Sequence, residues 1–173
     1  MTVPVAGAAR NADMYLAVRS ARAGDIQGES AAVDHVNEIV VHGWHWGMTQ
    51  QVAAALPGGG GGSARQAGNR RSLQPFTVYK RLDKATTSLM AVLGNNDSVR
   101  SAVLSMRKAG EGQQDYFKVT LTDGRVIDLE YTADADGNVV ERVTLAFAEI
   151  EFEYWPQTGT GQRGGASVCA IQA

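Results

Sequence analysis

The stretch VVHGWHWGMTQQ, residues 40–51, crowds Trp44, Trp46, His42 and His45 into a few positions, and its period decides the fold. Read with a period of two, it is the body of a long strand over residues 37–52. Val40, His42, Trp44, Trp46 and Met48 then share one face. Ile39, Val41, Gly43, His45 and Gly47 share the other, so both faces are at least partly covered. A metal site is the competing reading. His42 and His45 are three positions apart, which places them on opposite faces of a strand, and no Cys or nearby carboxylate completes a ligand set. The tryptophans read as sheet anchors, because each ring buries a large area and its N–H can reach a carbonyl at the rim. Trp44 and Trp46, with Phe147 and Phe152, are therefore the expected structural core.

Outward from this strand the same period recurs. DMYLAV, residues 13–18, alternates Met14, Leu16 and Val18 with Tyr15 and Ala17, whereas residues 1–12 are Ala-rich without alternation and read as a flexible N-terminal extension. Residues 56–75, LPGGGGGSARQAGNRRSLQP, have no periodicity and read as one long Gly/Arg-rich loop. PFTVYKRLDK resumes strand character through Phe76, Val78 and Tyr79. One short helix follows, capped by Thr86 or Thr87, with Leu89, Met90, Val92 and Leu93 as its stripe and Gly94 as its left-handed stop. Beyond it every segment reads as strand. TDG at 122–124 is a tight-hairpin signal and DADGN at 134–138 another turn. In VVERVTLAFAEIEFEYW, Val143, Leu145 and Phe147 share one face, but Ile150, Phe152 and Tyr154 share the opposite one. That change of phase near Ala148 and Glu149 predicts a bulge or a crossing between layers. The fold class is mostly β, an antiparallel barrel or sandwich with one short helix. Residues 13–157 form the domain and residues 158–173 a flexible C-terminal tail.

Composition narrows the function. A chain of 173 residues is long enough for one core without staples, and its single cysteine, Cys169, cannot form an internal bridge. A net charge of −2 and a pI of about 5.9 give no general attraction to nucleic acid or anionic membranes. No apolar run approaches the ~18 residues of a membrane span, and the first residues lack a secretory h-region. The expectation is synthesis in the cytoplasm, no membrane insertion, and export only by a route without a cleaved signal peptide.

Three motifs invite chemistry. The glycine run lacks the Gly-Lys-Ser/Thr of a phosphate loop and leads into strand. Glu149, Glu151 and Glu153 point the same way along the last strand, but no partner nucleophile or base is identifiable, so a solvated sheet face is the default reading. No Ser-His-Asp or Cys-His arrangement is available. The residues thus lead to a non-enzymatic β domain with no metal, cofactor or catalytic residues.

Six blocks in order carry a resemblance: MYLAV (14–18), IQGES (26–30), WHWGMTQ (44–50), LDKAT (82–86), RKAGEGQQDYFKVTL (107–121) and ERVTLAFAEIEFEYWPQ (141–157). Together they resemble the haemolysin-coregulated protein family, the tube protein of the bacterial type VI secretion system. The resemblance implies an antiparallel β-barrel of two sheets with a flanking helix, assembled as a homo-hexameric ring. It also implies stacking of rings into an exported tube, with a contractile sheath, a spike protein and effectors as partners. Gly58, Gly60, Arg65, Arg70, Arg71, Glu149, Glu151 and Glu153 are the subunit-interface candidates. Three features depart from the family pattern: the N-terminal extension, Thr87 and Ser88 where a proline often follows the threonine, and Glu149 where a lysine is frequent. A small-ligand or carbohydrate-binding barrel, stacking its ligand on Trp44 and Trp46, is the alternative, and a hydrolase built on the Glu149–Glu153 row a third reading.

Overall fold

The structure, a computed structural model, describes residues 12–51, 70–108, 114–156 and 164–173. Alternation builds most of it. In β1 (Ala12–Ser20) Leu16 and Val18 are buried, in β6 (Phe76–Arg81) Phe76 and Val78, and in β9 (Val139–Ala146) Val143 and Leu145, each separated by a half-buried residue. With β3 (Ile39–His45), β7 (Ser98–Lys108) and β8 (Asp115–Ala133), these strands pair antiparallel in the order β8, β7, β1, β3, β6, β9. Because β9 also pairs with β8, the six close into a barrel. The expected β-barrel with one helix is what forms. β2 (Gly24–Ile26) pairs with the end of β1, and α1 (Ala85–Gly94) packs against β8. β10 (Glu149–Tyr154) and β11 (Ser167–Gln172) extend the sheet beyond the first half of β8.

The opening stretch is not one strand. Val41 faces Lys80 and Gly43 faces Tyr79, so His42 is an extra residue in a bulge. The bulge reverses the phase, and Trp44 joins the core face of Ile39 and Val41 rather than the face of Val40. After a break at Trp46 and Gly47, β4 (Met48–Gln51) pairs with β5 (Arg70–Leu73) in a separate two-stranded ribbon. Residues 70–73, expected in the loop, are therefore strand, while residues 52–69 lie outside the described residues.

The predicted change of phase is present, and β8 shares it. Thr122 pairs with Glu149 and Arg125 with Ala146, so β10 and β9 flank one continuous β8 across a break at Phe147 and Ala148. The TDG signal thus makes a kink, not a hairpin: Asp123 takes φ 50°, and Ala148 N donates to Thr122 O at 3.0 Å and Asp123 O at 3.1 Å. Val119 and Leu121 are buried before the kink, Val126 after it, so both strands exchange faces together. Gly124 permits the crossing, since a Cβ there would lie 2.3 Å from Ala146 O.

Other local expectations are corrected. Neither Thr86 nor Thr87 caps α1: Asp83 Oδ1 accepts Ala85 N at 2.9 Å, and Thr86 lies buried inside the helix. Gly94 is the last helical residue, and Asn96 takes the left-handed turn at φ 49°. The tail is not wholly flexible, because Ser167–Gln172 forms β11 on β10. The DADGN turn holds: Asp134 Oδ1 accepts Asn138 N at 2.8 Å and Asp136 N at 3.0 Å. Residues 1–11 of the expected extension lie outside the described residues.

Among the described residues one ion pair is fully enclosed within the barrel wall. Lys80 and Glu141 are each 0% exposed, with Nζ 2.5 Å from Glu141 Oε2. Asp83 Oδ1 (2.8 Å), Thr86 Oγ1 (3.0 Å) and Arg81 O (2.9 Å) complete the ammonium's shell, tying the start of α1 to β6 and β9.

Candidate subunit interface

Glu149, Glu151 and Glu153 stand half-buried on β10, on the face opposite Ile150 and Phe152. Their cross-strand neighbours are Thr122, Thr120 and Lys118 on β8 and Gln172, Ala170 and Val168 on β11. The row is therefore flanked by strands on both sides. Gln172 Nε2 donates to Glu149 Oε2, and Arg71 Nη2 donates to the Gln172 carbonyl. Two candidates from distant parts of the sequence, Arg71 and Glu149, thus meet at one residue. Arg70 opens β5, and Gly58, Gly60 and Arg65 lie outside the described residues.

Sequence reasoning missed β11 as part of this surface. The short apolar run VCAI at residues 168–171 was the available signal. Ala173 N donates to Ala148 O at 2.8 Å, which fixes the hydrogen-bonding phase. Cys169 and Ile171 then turn their backbone groups toward β10, and Val168 and Ala170 turn theirs outward. Among the described residues β11 pairs with no further strand, so beyond the Arg71 contact at Gln172 its outer edge is open, with Val168 54% exposed. The open edge and the acidic row are thus neighbours on one surface.

The four expected core aromatics are half-buried and packed against the core, not within it. Trp44 stacks near Phe76 (5.5 Å, 17°) and Phe117 (6.0 Å, 20°), and Trp46 tilts against Phe152 at 4.9 Å. The Trp44 ring is thus stacked against protein rings, which removes it as a stacking platform in the ligand-binding alternative, whereas Trp46 meets Phe152 only at a tilt of 48°. Trp46 Nε1 finds no partner among the described residues, contrary to the expected rim carbonyl.

On β8 and β9 two further side chains are tied to carboxylates. Burial, then the Glu141 charge and hydrogen bond, push the Tyr131 hydroxyl up to about 12. Arg142 reaches Asp128 at 2.9 Å and Glu130 at 2.5 Å, and the Asp128 hydrogen bond raises its pKa further. Among the described residues no group of three His, Cys, Asp or Glu could hold a metal, and no helix is long and apolar enough to cross a membrane.

Comparison with known proteins places this barrel. A family described as "Type VI secretion system effector, Hcp" matches residues 15–154. The chain is 33% identical over 159 residues to Protein hcp1 of Pseudomonas aeruginosa, covering 90% of this chain and 91% of that one. Among solved structures, Hcp1 from Salmonella typhimurium is 25% identical with a TM-score of 0.70, covering 94% of this chain and 95% of that one. Hcp1 from an E. coli EAEC 042 pathovar shares the fold at 18% identity, with a TM-score of 0.72 over 93% of this chain and 99% of its own. With a closed antiparallel barrel, one helix on its flank and a family match across nearly all of the described domain, the chain belongs to the Hcp family, that of the type VI secretion tube protein.

Proposed function

We propose that this chain is a non-enzymatic subunit of the inner tube of a type VI secretion system. Copies close into a homo-hexameric ring, rings stack into the tube, and the tube leaves the cell without a cleaved signal peptide, carrying or chaperoning effectors in its lumen. The contractile sheath, the spike protein and the effectors are its partners. The observation that carries the reading is the relation to a curated Hcp1 over 90% of the chain. The open β11 edge and the carboxylate row, with Arg71 joined to them through Gln172 and Arg70 beside it, support it as one half of a head-to-tail contact, and the segment containing Gly58, Gly60 and Arg65 is the candidate for the other half.

Light scattering on the purified chain, followed by negative-stain imaging, tests the reading. A mass of about six chains with ring-shaped particles is expected. A strict monomer across protein and salt concentrations would sink it. Cysteine pairs joining Glu151 to Arg65 between copies test the contact itself, and failure of cross-linking in intact rings would remove these residues from the interface.

A further inference from the structure

Away from the carboxylate row, the connection between β2 and β3 is pinned to the barrel by a buried charged cluster. His35 is 4% exposed, and its ring stacks on Tyr15 of β1 with centroids 4.5 Å apart and planes 9° from parallel. His35 Nδ1 lies 2.8 Å from Glu38 Oε2, and Nε2 lies 3.0 Å from Asp115 Oδ1 at the start of β8. Arg107 of β7 reaches the same Asp115 oxygen through Nε at 3.4 Å and donates through Nη1 to Val33 O at 3.0 Å. Asp34 Oδ2 stands 3.8 Å from Arg107 Nη2, and Asp13 acts on Tyr15 from β1. These are the titratable and charged groups facing the ring among the described residues.

Ionised carboxylates only accept hydrogen bonds, so each ring nitrogen of His35 must carry a proton to satisfy its partner. A neutral imidazole has one N–H and would set a lone pair against a carboxylate oxygen. The doubly protonated ring satisfies both, and with Arg107 it balances Glu38 and Asp115. Loss of the proton leaves excess negative charge in a buried site. Within the loop Asp34 and Asn37 hold φ at 68° and 62°, the left-handed region that Asp and Asn enter more readily than other side chains. The clamped loop also presents Val33 and Val36, 68% and 63% exposed. Val36, Asn37 and Glu38 wall a groove of about 430 Å³ over Ala17, Ser101 and Val103.

We propose that His35 is a proton-operated latch. With the ring doubly protonated, the loop over residues 27–38 is clamped to β1, β7 and β8; loss of the proton releases it and opens one wall of the groove. The latch is closed at low pH and opens as pH rises. It does not depend on the tube reading.

Amide hydrogen exchange of the full chain at about pH 5.5 and about pH 8.5, corrected for the intrinsic pH dependence of exchange, tests this. Loop amides should lose protection by about tenfold or more at the higher pH, relative to β7 amides. In His35→Gln, which cannot gain a proton, the loop should be equally open at both. A second readout needs no variant: in the wild-type NMR spectrum, the His35 ring and the Asn37 amide should shift over one pH range. Wild-type loop protection that does not change with pH, a ring that titrates without a loop response, or a pH dependence that survives in His35→Gln would each overturn the proposal. If that variant does not fold, the wild-type measurements decide.

Discussion

Replacing Lys80 by Met removes the ammonium while keeping the stem's volume, and it strands Glu141 at a site that is 0% exposed. Glu141 keeps hydrogen bonds from Thr86 Oγ1 at 2.8 Å and Tyr131 Oη at 3.2 Å, but it loses its only cationic partner in this network. Asp83 loses the same partner, though with 10% of its side chain exposed it can recruit water. Breaking one side of a buried pair costs about 3–5 kcal/mol, a third or more of the stability of a typical domain. Adding Glu141→Leu removes the stranded charge and fills the space with apolar volume. The double variant should therefore recover most of the loss and fall within about 1 kcal/mol of the wild type. Urea unfolding of wild type, both singles and the double closes the cycle, with a coupling of about 2 kcal/mol or more expected. A Lys80→Met cost below about 1 kcal/mol, or singles that simply add, would refute the claim that this pair is mutually dependent.

Two further expectations follow from local geometry. Gly124→Ala forces a methyl against the Ala146 carbonyl, 2.3 Å from an ideal Cβ, and should cost roughly 1–3 kcal/mol by urea denaturation; a neutral result would mean that the crossing has slack. Asp97 is held below the usual carboxylate range by the Ser20 hydroxyl, which outweighs desolvation, with Arg22 N adding a bond at 3.2 Å. Its contribution is therefore complete above the ordinary carboxylate range and is lost as pH falls through the depressed value. Asp97→Asn should lower the urea midpoint at neutral pH, and the difference should shrink on acidification; a difference that stays constant with pH would contradict this.

The carboxylate row was readable, because alternation tells which side chains share a face, whereas Arg70 and Arg71 were readable only as part of an aperiodic loop and not as strand. That Arg71 and Glu149 meet at Gln172 was not readable, since it depends on β5 and β11 arriving from distant parts of the chain. His35 and Lys80 carried no signal at all. Each is an ordinary polar residue until β8 brings Asp115 to the first and β9 brings Glu141 to the second.

By itself the sequence determined the class: period-two segments and one short helix dictate an antiparallel barrel or sandwich, because hydrophobic alternation is a local property of the chain, and the resemblance carried by the ordered blocks implied the barrel. It also dictated the change of phase between β9 and β10. Tertiary structure alone decided that TDG kinks a continuous β8, that His42 bulges and swings Trp44 onto the core face, and that Ser167–Gln172 joins the sheet. A turn signal, a bulge and an edge strand are each set by which strand lies alongside. The physical reason is that backbone hydrogen bonds must find partners, and those partners are chosen by the closed barrel, not by neighbours in sequence.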